Sequence, residues 1–267
     1  MFTWWRKKMR KYLRVIAKLL PALIWAYFSW IFRYSRHPEK YDINLRFKKV
    51  QTLIRKVLRA FNVTVNEIDV DKYDLTLKEG KPHLIVANHI SGFDPLIFIA
   101  LAKRPITFVA KKEVLKLPFV GKVVKSLDGE FLDRDDLKQS LKVFKSIAQK
   151  MIDIPNLDWL IFPEGTRNKV DPTDTRPFHY GTFKPAMKNS LDVSVFSVLG
   201  TQRILNSKCK NKMNPVCLKY DLTYTFEDYN GLKTVDLSTK AYETCRSGVQ
   251  SLIEEDKKLV LKYNKKA

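Results

Sequence analysis

The chain has 267 residues, of which 45% are hydrophobic, so it can bury the core of one large α/β domain and still carry an additional element. Its 49 Lys and Arg residues against 28 Asp and Glu residues give a formal net charge of +21. This excess predicts a polyanionic partner, such as nucleic acid, anionic lipid headgroups or a phosphorylated substrate. The three cysteines (Cys209, Cys217, Cys245) argue against a disulfide framework and favour a reducing compartment, because their number is odd.

The first 38 residues contain no Asp or Glu, and they combine a basic start with an apolar run. No charged residue occurs in the 14 residues from Leu19 to Phe32, whereas a membrane-spanning helix needs roughly 17–25 residues. Four of the five tryptophans also lie in this region (Trp4, Trp5, Trp25, Trp30). We therefore expect a helix that lies in a membrane interface or dips into one leaflet. A soluble core helix is the alternative.

Residues 45–61 predict a second, amphipathic helix. Apolar residues recur in it at helical spacing (Val50, Leu53, Ile54, Val57, Leu58, Phe61), and Lys and Arg cover its other faces. Together with the first helix it would form a basic hairpin over residues 1–61 that binds anionic lipid, ahead of an α/β domain over residues 62–267. The alternative is an ordinary amphipathic helix with a solvated basic face.

Predicted strands and helices alternate from residue 62 onwards. The apolar patterns indicate strands at 62–69, 83–86, 106–110, 131–132, 157–162, 191–199 and 215–226. They indicate helices at 96–102, 111–118, 121–127, 137–151, 185–188 and 238–261. This alternation predicts an α/β fold with a mixed, mostly parallel sheet that is covered by helices on both faces.

A polar turn joins the strand at 83–86 to the helix at 96–102, and it carries His89 and Asp94. Asp94 suits the N-cap of that helix, and Pro95 suits its first position. A short turn would also fold the Asp94 carboxylate back onto the imidazole of His89. A histidine oriented by a carboxylate is the usual arrangement of a general base. On these residues alone, a simple cap beside a loop histidine is an equally good interpretation.

A second polar turn, Phe162-Pro-Glu-Gly-Thr-Arg167, follows the strand at 157–162. It offers a carboxylate, a glycine-permitted bend, a hydroxyl group and a guanidinium group. Backbone N–H groups at such a turn, together with Arg167, would suit an oxyanion or a phosphate. Taken by itself, the segment is only a plausible turn.

Taken together, these segments resemble the glycerophosphate/lysophosphatidate acyltransferase family over about residues 84–199. Three blocks of that family occur in order: Asn-His-x4-Asp, an apolar pair followed by Asp-Arg, and Phe-Pro-Glu-Gly-Thr-Arg (Asn88–Asp94, Phe131–Arg134, Phe162–Arg167). A Phe-x-x-Gly element follows at Phe178 and Gly181. The valine-rich fourth block at 193–198 lacks the family's proline, which leaves the substrate selectivity open.

The resemblance implies a reaction in which His89 deprotonates an acceptor hydroxyl while Asp94 orients the imidazole. The resulting alkoxide would attack the thioester carbonyl of an acyl donor. The acceptor phosphate would be bound by three basic residues (Arg134, Arg167, Lys111), although Lys111 is equally well read as a solvated lysine. The turn residues Glu164, Gly165 and Thr166 would shape the acceptor site.

Other kinds of catalysis are not expected. The reaction needs no enzyme nucleophile, so Ser91 is not predicted to form an acyl-enzyme. No metal is expected, because the histidines His83, His89 and His179 lack a ligand pattern. No cofactor is expected beyond the co-substrate, which would be acyl-CoA or an acylated acyl carrier protein.

The implied activity is that of a 1-acyl-sn-glycerol-3-phosphate acyltransferase, which acylates the free sn-2 hydroxyl of lysophosphatidic acid to give phosphatidic acid. Another lysophospholipid or glycerol-3-phosphate is the alternative acceptor within the family. Because acceptor and product are membrane lipids, we expect a monotopic or peripheral protein at the cytoplasmic face of the cell membrane. A basic nucleic-acid-binding protein is the alternative from a different class, but the sequence offers neither a recognition helix nor a stacking platform.

Overall fold

The computed structural model of the chain describes residue 15, residues 17–206 and residues 213–264. Two predicted features lie outside the described residues. One is the basic start of the N-terminal hairpin, residues 1–14, with Trp4 and Trp5. The other is Cys209.

Seven strands form one sheet in the order β1-β7-β6-β2-β5-β3-β4. All neighbouring strands are parallel except β6 and β7, which are antiparallel. The strands are β1 Val63–Ile68, β2 Leu84–Ala87, β3 Ile106–Lys111, β4 Glu130–Leu132, β5 Asp158–Ile161, β6 Val193–Leu199 and β7 Asn214–Tyr224. The prediction of a mixed, mostly parallel sheet is therefore confirmed.

Helices connect the strands. Residues 17–36 are helical, with a π-helical segment at Tyr27–Ile31. The later α-helices are Ile43–Ala60, Val70–Thr76, Asp94–Leu101, Val120–Ser126, Leu137–Asp153, Lys184–Asn189, Phe226–Tyr229 and Thr234–Asn264. Short 3-10 helices occur at Pro38–Lys40, Lys112–Lys116, Tyr180–Phe183 and Thr201–Arg203. The sequence patterns had not indicated the helix Val70–Thr76.

Strand β2 lies in the middle of the sheet, and all four of its side chains are buried. Ile85 and Ala87 belong to one core cluster, whereas Leu84 and Val86 belong to the other, because alternate side chains point to opposite faces of a sheet. Residues of different helices complete the two clusters (17–36, 43–60 and 94–101 on the first; 137–153 and 234–264 on the second). Helices thus cover both faces, as predicted.

The two N-terminal helices share the first core cluster with the sheet. Trp30, Ile31 and Tyr34 of the first helix are buried in that cluster. Arg46 of the second helix forms a buried ion pair with Asp128, at 2.7 Å. The division of the chain at residue 61 stays a prediction.

Among the described residues, no helix combines the length and the apolar character that crossing a bilayer would require.

Candidate active site

The predicted site residues lie at one edge of the sheet. Strands β6, β2, β5, β3 and β4 run parallel to one another, so their carboxyl ends meet at this edge. His89 follows β2, the turn 162–167 follows β5, Lys111 ends β3 and Arg134 follows β4. In open α/β sheets, ligands bind beyond the carboxyl ends of the strands. The topology therefore brings together segments that are far apart in the sequence.

His89 and Asp94 are in contact through the turn after β2. The Nδ1 atom of His89 lies 2.7 Å from Oδ2 of Asp94, so the expected contact is present, whereas its catalytic role stays a prediction. Because a carboxylate only accepts hydrogen bonds, the neutral imidazole carries its proton on Nδ1. The Nε2 atom is therefore the one that can take a proton from a substrate. The His89 side chain is 16% exposed, which leaves it accessible at the edge of the sheet.

The Asp94 carboxylate is completely buried and points back into the turn. Its Oδ2 atom also accepts hydrogen bonds from the backbone N–H groups of Ile90 and Ser91, at 2.8 Å and 2.9 Å. The N-cap prediction is wrong, because the helix begins at Asp94 itself and its N-cap is Phe93. The physical reason is that the backbone N–H groups of Ile90 and Ser91 are buried in the turn and must have an acceptor, which the Asp94 carboxylate provides.

The turn after β5 holds His89 in place. Oε1 of Glu164 accepts a hydrogen bond from the backbone N–H of His89, at 2.7 Å, and the backbone N–H of Asn168 donates to the carbonyl oxygen of His89, at 2.7 Å. The ring of Phe162 stacks on the imidazole, with the centroids 4.3 Å apart. Backbone contacts and ring packing thus fix the position of the imidazole before any substrate binds.

Gly165 allows this turn to fold. Its φ angle is +69°, a region that favours glycine. A Cβ atom there would lie 3.0 Å from the ring of His179. The hydroxyl-bearing neighbour, Thr166, is exposed at the tip of the turn. Ser91 is buried, and its Oγ accepts a hydrogen bond from the backbone N–H of Phe93 at 3.2 Å, so its hydroxyl group supports the His89 turn.

Burial raises the pKa of Glu164 from 4.5 to about 7. The residue is only 3% exposed, and low polarity disfavours its ionised form. The backbone N–H groups of His89 and Arg176 oppose the rise in pKa, whereas the charge of Asp94 adds to it. Glu164 therefore changes its charge near neutral pH, right behind the backbone of His89.

We expect Glu164→Gln to change how stability depends on pH. The pKa of Glu164 is about 7 in the folded state, against 4.5 in the unfolded state, so protonation of Glu164 stabilises the fold. The wild-type protein loses this contribution to its unfolding free energy as pH rises from 4.5 through about 7. Glutamine keeps an oxygen for the His89 N–H but does not titrate. The unfolding free energy of the variant minus that of wild type should therefore increase by roughly 2–3 kcal/mol when the pH is raised from about 5 to about 8.

Urea unfolding of both proteins at the two pH values measures this difference. Other titrating groups, such as Asp221, are present in both proteins and cancel. A difference in unfolding free energy that stays constant between the two pH values would contradict the raised pKa.

The predicted phosphate-binding residues form a basic surface beside the pair of His89 and Asp94, which we call the dyad. Nη1 of Arg167 lies 3.8 Å from the position that a Cβ atom would take on Gly92, inside the turn between His89 and Asp94. The pKa of Arg134 is lowered, first because neighbouring protein atoms remove part of its hydration and also because the charge of Arg167 is near. An anion between two such guanidinium groups would relieve their repulsion.

Lys111 is less available than the two arginines. Its Nζ forms an ion pair with Glu113 at 3.0 Å, and both side chains are about half exposed. Glu113 also opposes the lowering of the Arg134 pKa, so its carboxylate interacts with both Lys111 and Arg134. The role of Lys111 in phosphate binding stays a prediction.

Two contributors to the site had not been predicted from the sequence. Thr201 follows β6 and donates a hydrogen bond to Oδ1 of Asp94. Asn168 binds the His89 carbonyl through its backbone, while its side chain holds the loop 168–174 through the carbonyl oxygen of Asp174, at 3.0 Å. The only sequence signal that points to Thr201 is its place as a polar residue two positions after the buried strand β6. Among the described residues, no cluster of three His, Cys, Asp or Glu side chains could hold a metal ion.

Comparisons with known proteins agree on one family. A family model described as acyltransferase matches residues 68–199. A probable 1-acyl-sn-glycerol-3-phosphate acyltransferase of Mycoplasma pneumoniae is 32% identical over 66% of this chain and 64% of its own length. A protein of the same name from Mycoplasma genitalium is 31% identical over 68% of this chain and 66% of its own length. The chain thus spans just under two thirds of the length of each of these two relatives.

Among solved structures, the 1-acyl-sn-glycerophosphate (LPA) acyltransferase PlsC from Thermotoga maritima matches with a TM-score of 0.66. The match covers 92% of this chain and 97% of that chain, at 21% sequence identity, and shows that the two share a fold. The family model, the two relatives and the sequence blocks around His89, Arg134 and Glu164 all lead to the same assignment. The chain belongs to the glycerophosphate/lysophosphatidate acyltransferase family.

Proposed function

We propose that the protein transfers a fatty acyl group from an acyl thioester to the sn-2 hydroxyl of 1-acyl-sn-glycerol-3-phosphate and so makes phosphatidic acid. The observation that carries this proposal is the pair formed by His89 and the buried Asp94, 2.7 Å apart, with the guanidinium group of Arg167 beside the same turn. The names of the Mycoplasma relatives support the choice of acceptor.

The reaction would proceed by direct transfer. Nε2 of His89 takes the proton of the sn-2 hydroxyl group, and the oxygen of that hydroxyl group attacks the thioester carbonyl carbon. A C–O bond forms and the C–S bond breaks, and the proton held by His89 passes to the leaving thiolate. The products are an ester and a free thiol. The charge of Asp94 stabilises the imidazolium group that exists between the two proton transfers.

The basic surface would bind the acceptor phosphate. Guanidinium groups match phosphate oxygens with paired hydrogen bonds, and Arg134 and Arg167 lie close enough to repel each other. Binding of a phosphate between them would position the neighbouring glycerol hydroxyl at His89. The donor, either acyl-CoA or acyl carrier protein, would enter the same edge.

We expect Arg134→Ala to raise the KM for the phosphate-bearing acceptor by roughly 10–100-fold, since it removes charge-assisted hydrogen bonds. The kcat should change less, because the dyad is intact. Steady-state kinetics with lysophosphatidate measure both values. Lys188→Ala is the control, since Lys188 is an exposed basic residue on the helix Lys184–Asn189 and is not one of the predicted phosphate-binding residues. An unchanged KM in Arg134→Ala would remove Arg134 from the phosphate site.

We infer that the first helix binds the membrane, as a monotopic or peripheral contact at the cytoplasmic face. One side of this helix is apolar and exposed (Leu20, Ile24, Trp25, Phe28, Phe32), with Trp25 at 68% and Phe28 at 75%. The opposite side is buried in the core cluster through Trp30, Ile31 and Tyr34. An exposed apolar stripe on a strongly basic protein suits the surface of an anionic bilayer.

The double variant Trp25→Ser/Phe28→Ser should lose binding to anionic vesicles by about tenfold or more, because it removes two aromatic side chains from the inserted face. Deleting the helix would be a poorer test, since it would also open the core. Flotation with phosphatidylglycerol vesicles measures the binding. Leu75→Ser is the matched control, since Leu75 is 86% exposed elsewhere. Tight binding to duplex DNA without vesicle binding would contradict the membrane role.

Acyl transfer by the purified protein in detergent tests the proposed activity. One thioester donor is supplied with lysophosphatidate, glycerol-3-phosphate or lysophosphatidylcholine, first as acyl-CoA and then as acyl carrier protein. We expect turnover with lysophosphatidate. Turnover with another acceptor alone would keep the chemistry of the dyad but overturn the substrate. No turnover with any acceptor and either donor would overturn the proposal.

A further inference from the structure

Thr201 occupies a special position relative to the dyad. It begins the 3-10 turn Thr201–Arg203, which Gly200 separates from β6, and it is completely buried. Its hydroxyl group donates a hydrogen bond to Oδ1 of Asp94. The other carboxylate oxygen, Oδ2, already accepts from His89, Ile90 and Ser91. Within the part of the chain that the structure describes, Thr201 is the donor to Oδ1.

This hydrogen bond matters because Asp94 is sealed from water. A buried carboxylate oxygen that loses its donor is left with an uncompensated loss of hydration, because no water can replace the donor. The bond also fixes the rotation of the carboxylate, since Oδ1 and Oδ2 are then held from opposite sides. In that orientation Oδ2 meets Nδ1 of His89 at 2.7 Å.

The turn that carries Thr201 is itself rigid. Gly200 has a φ angle of +108°, and a Cβ atom there would lie 2.6 Å from the carbonyl oxygen of Pro215. The guanidinium group of Arg203 donates to the same carbonyl oxygen at 2.7 Å and pairs with the carboxylate of Asp256 in the last helix. Strand β7 and the last helix thus fix the backbone from which Thr201 reaches the dyad.

We propose that Thr201 is a positioning residue of the reaction, which acts on His89 through Asp94. It holds the carboxylate in the correct rotation, so that the imidazole carries its proton on Nδ1 and offers Nε2 to the substrate. This inference rests on the proposed function of the dyad. It adds to the family blocks a residue that none of the quoted blocks contains.

The test compares Thr201→Val, Thr201→Ser and a control, Thr223→Val. Thr223 lies on β7 and is also buried, and its hydroxyl group contacts the hydroxyl groups of Ser194 and Tyr220, each at 2.8 Å. Rates of acyl transfer are measured from about pH 5 to about pH 9, together with the urea midpoint of each protein. The valine variant keeps the shape of threonine and replaces the hydroxyl group with a methyl group.

We expect Thr201→Val to lower kcat by roughly 10–100-fold, with little change in KM. The acid limb of its pH profile should move to higher pH, because the less stabilised carboxylate draws a proton onto the dyad more strongly. Thr201→Ser should restore most of the rate and the wild-type acid limb. Thr223→Val should lose stability but keep the wild-type profile.

An acid limb in Thr201→Val that matches wild type would overturn the proposal, and so would a failure of serine to restore it. A second readout does not depend on turnover: NMR titration of the His89 ring, identified among the four histidines by its absence in His89→Gln. A raised His89 pKa in Thr201→Val would support the positioning role even if the acceptor proves to be different. An unchanged pKa would exclude that role.

Discussion

His89→Ala should lower the rate of acyl transfer by roughly 10²–10⁴-fold, since the variant lacks the group that accepts the hydroxyl proton. The fold should survive. Asp94 keeps its hydrogen bonds from Ile90, Ser91 and Thr201, and the side chain that is lost is partly exposed at the edge of the sheet. Steady-state rates at saturating acceptor, together with urea unfolding, separate the loss of chemistry from a loss of structure.

A second substitution sharpens this test. His89→Gln offers an amide N–H that can still donate to Asp94, but it supplies no base. If orientation of the turn were the only role of His89, glutamine would restore the activity that alanine loses. We expect both variants to be equally inactive. Near-wild-type turnover in either variant would mean that another group accepts the proton.

The surroundings of His89 explain why the imidazole is ready for this task. Its backbone is held on both sides by the turn after β5, through Glu164 and Asn168, and its ring stacks on Phe162. Residues about 75 positions away in the chain therefore decide where Nε2 points. Such preorganisation is worth more than flexible placement, because a substrate then meets a base that needs no reorganisation.

Local patterns in the sequence were sufficient to predict the strands and turns that carry this site. Buried apolar runs such as β2 and β5 read clearly as strands, and the spacing of His89 and Asp94 allowed their contact as one of two interpretations. The N-cap prediction for Asp94 failed because a local pattern does not reveal how many donors the turn itself presents. The helix Val70–Thr76 was missed for a similar reason: its Tyr73 is anchored by a tertiary hydrogen bond to Asp158, at 2.9 Å.

The rest of the site depends on strand order, which no local pattern contains. Thr201 touches Asp94 because β6 pairs with β2, although the two residues are 107 positions apart. Glu164 reaches His89 because β5 pairs with the other side of β2. Resemblance to a family placed Glu164 near the acceptor but did not identify its hydrogen bond to the His89 backbone. Contacts of this kind follow from the fold rather than from motif spacing.

Asp94→Asn should also lower kcat by roughly 10²–10⁴-fold, although it barely changes the shape of the site. The amide oxygen can replace Oδ2 and accept from His89, Ile90 and Ser91, while the amide NH2 group can donate to the hydroxyl oxygen of Thr201. The hydrogen bonds therefore survive in number, and the expected cost in unfolding free energy is only about 1–3 kcal/mol. What disappears is the negative charge that stabilises the imidazolium group during proton transfer.

Asp158→Asn is the matched control. Asp158 is buried at the start of β5, at the opposite edge of the sheet, where it accepts hydrogen bonds from Tyr73, Arg104 and the backbone of His83. Its loss of charge should reduce stability and leave kcat near wild type. If Asp94→Asn and Asp158→Asn lost the same small share of activity, Asp94 would be a structural residue and His89 would act alone.

A double variant that combines Asp94→Asn with Thr201→Val tests whether Thr201 acts through the Asp94 carboxylate. With the carboxylate gone, Thr201 no longer has an ionised partner to stabilise. Thr201→Val should then reduce kcat by much less than it does in the wild-type protein, so the two losses should not add. Fully additive losses would mean that Thr201 influences the reaction by a route that does not pass through Asp94.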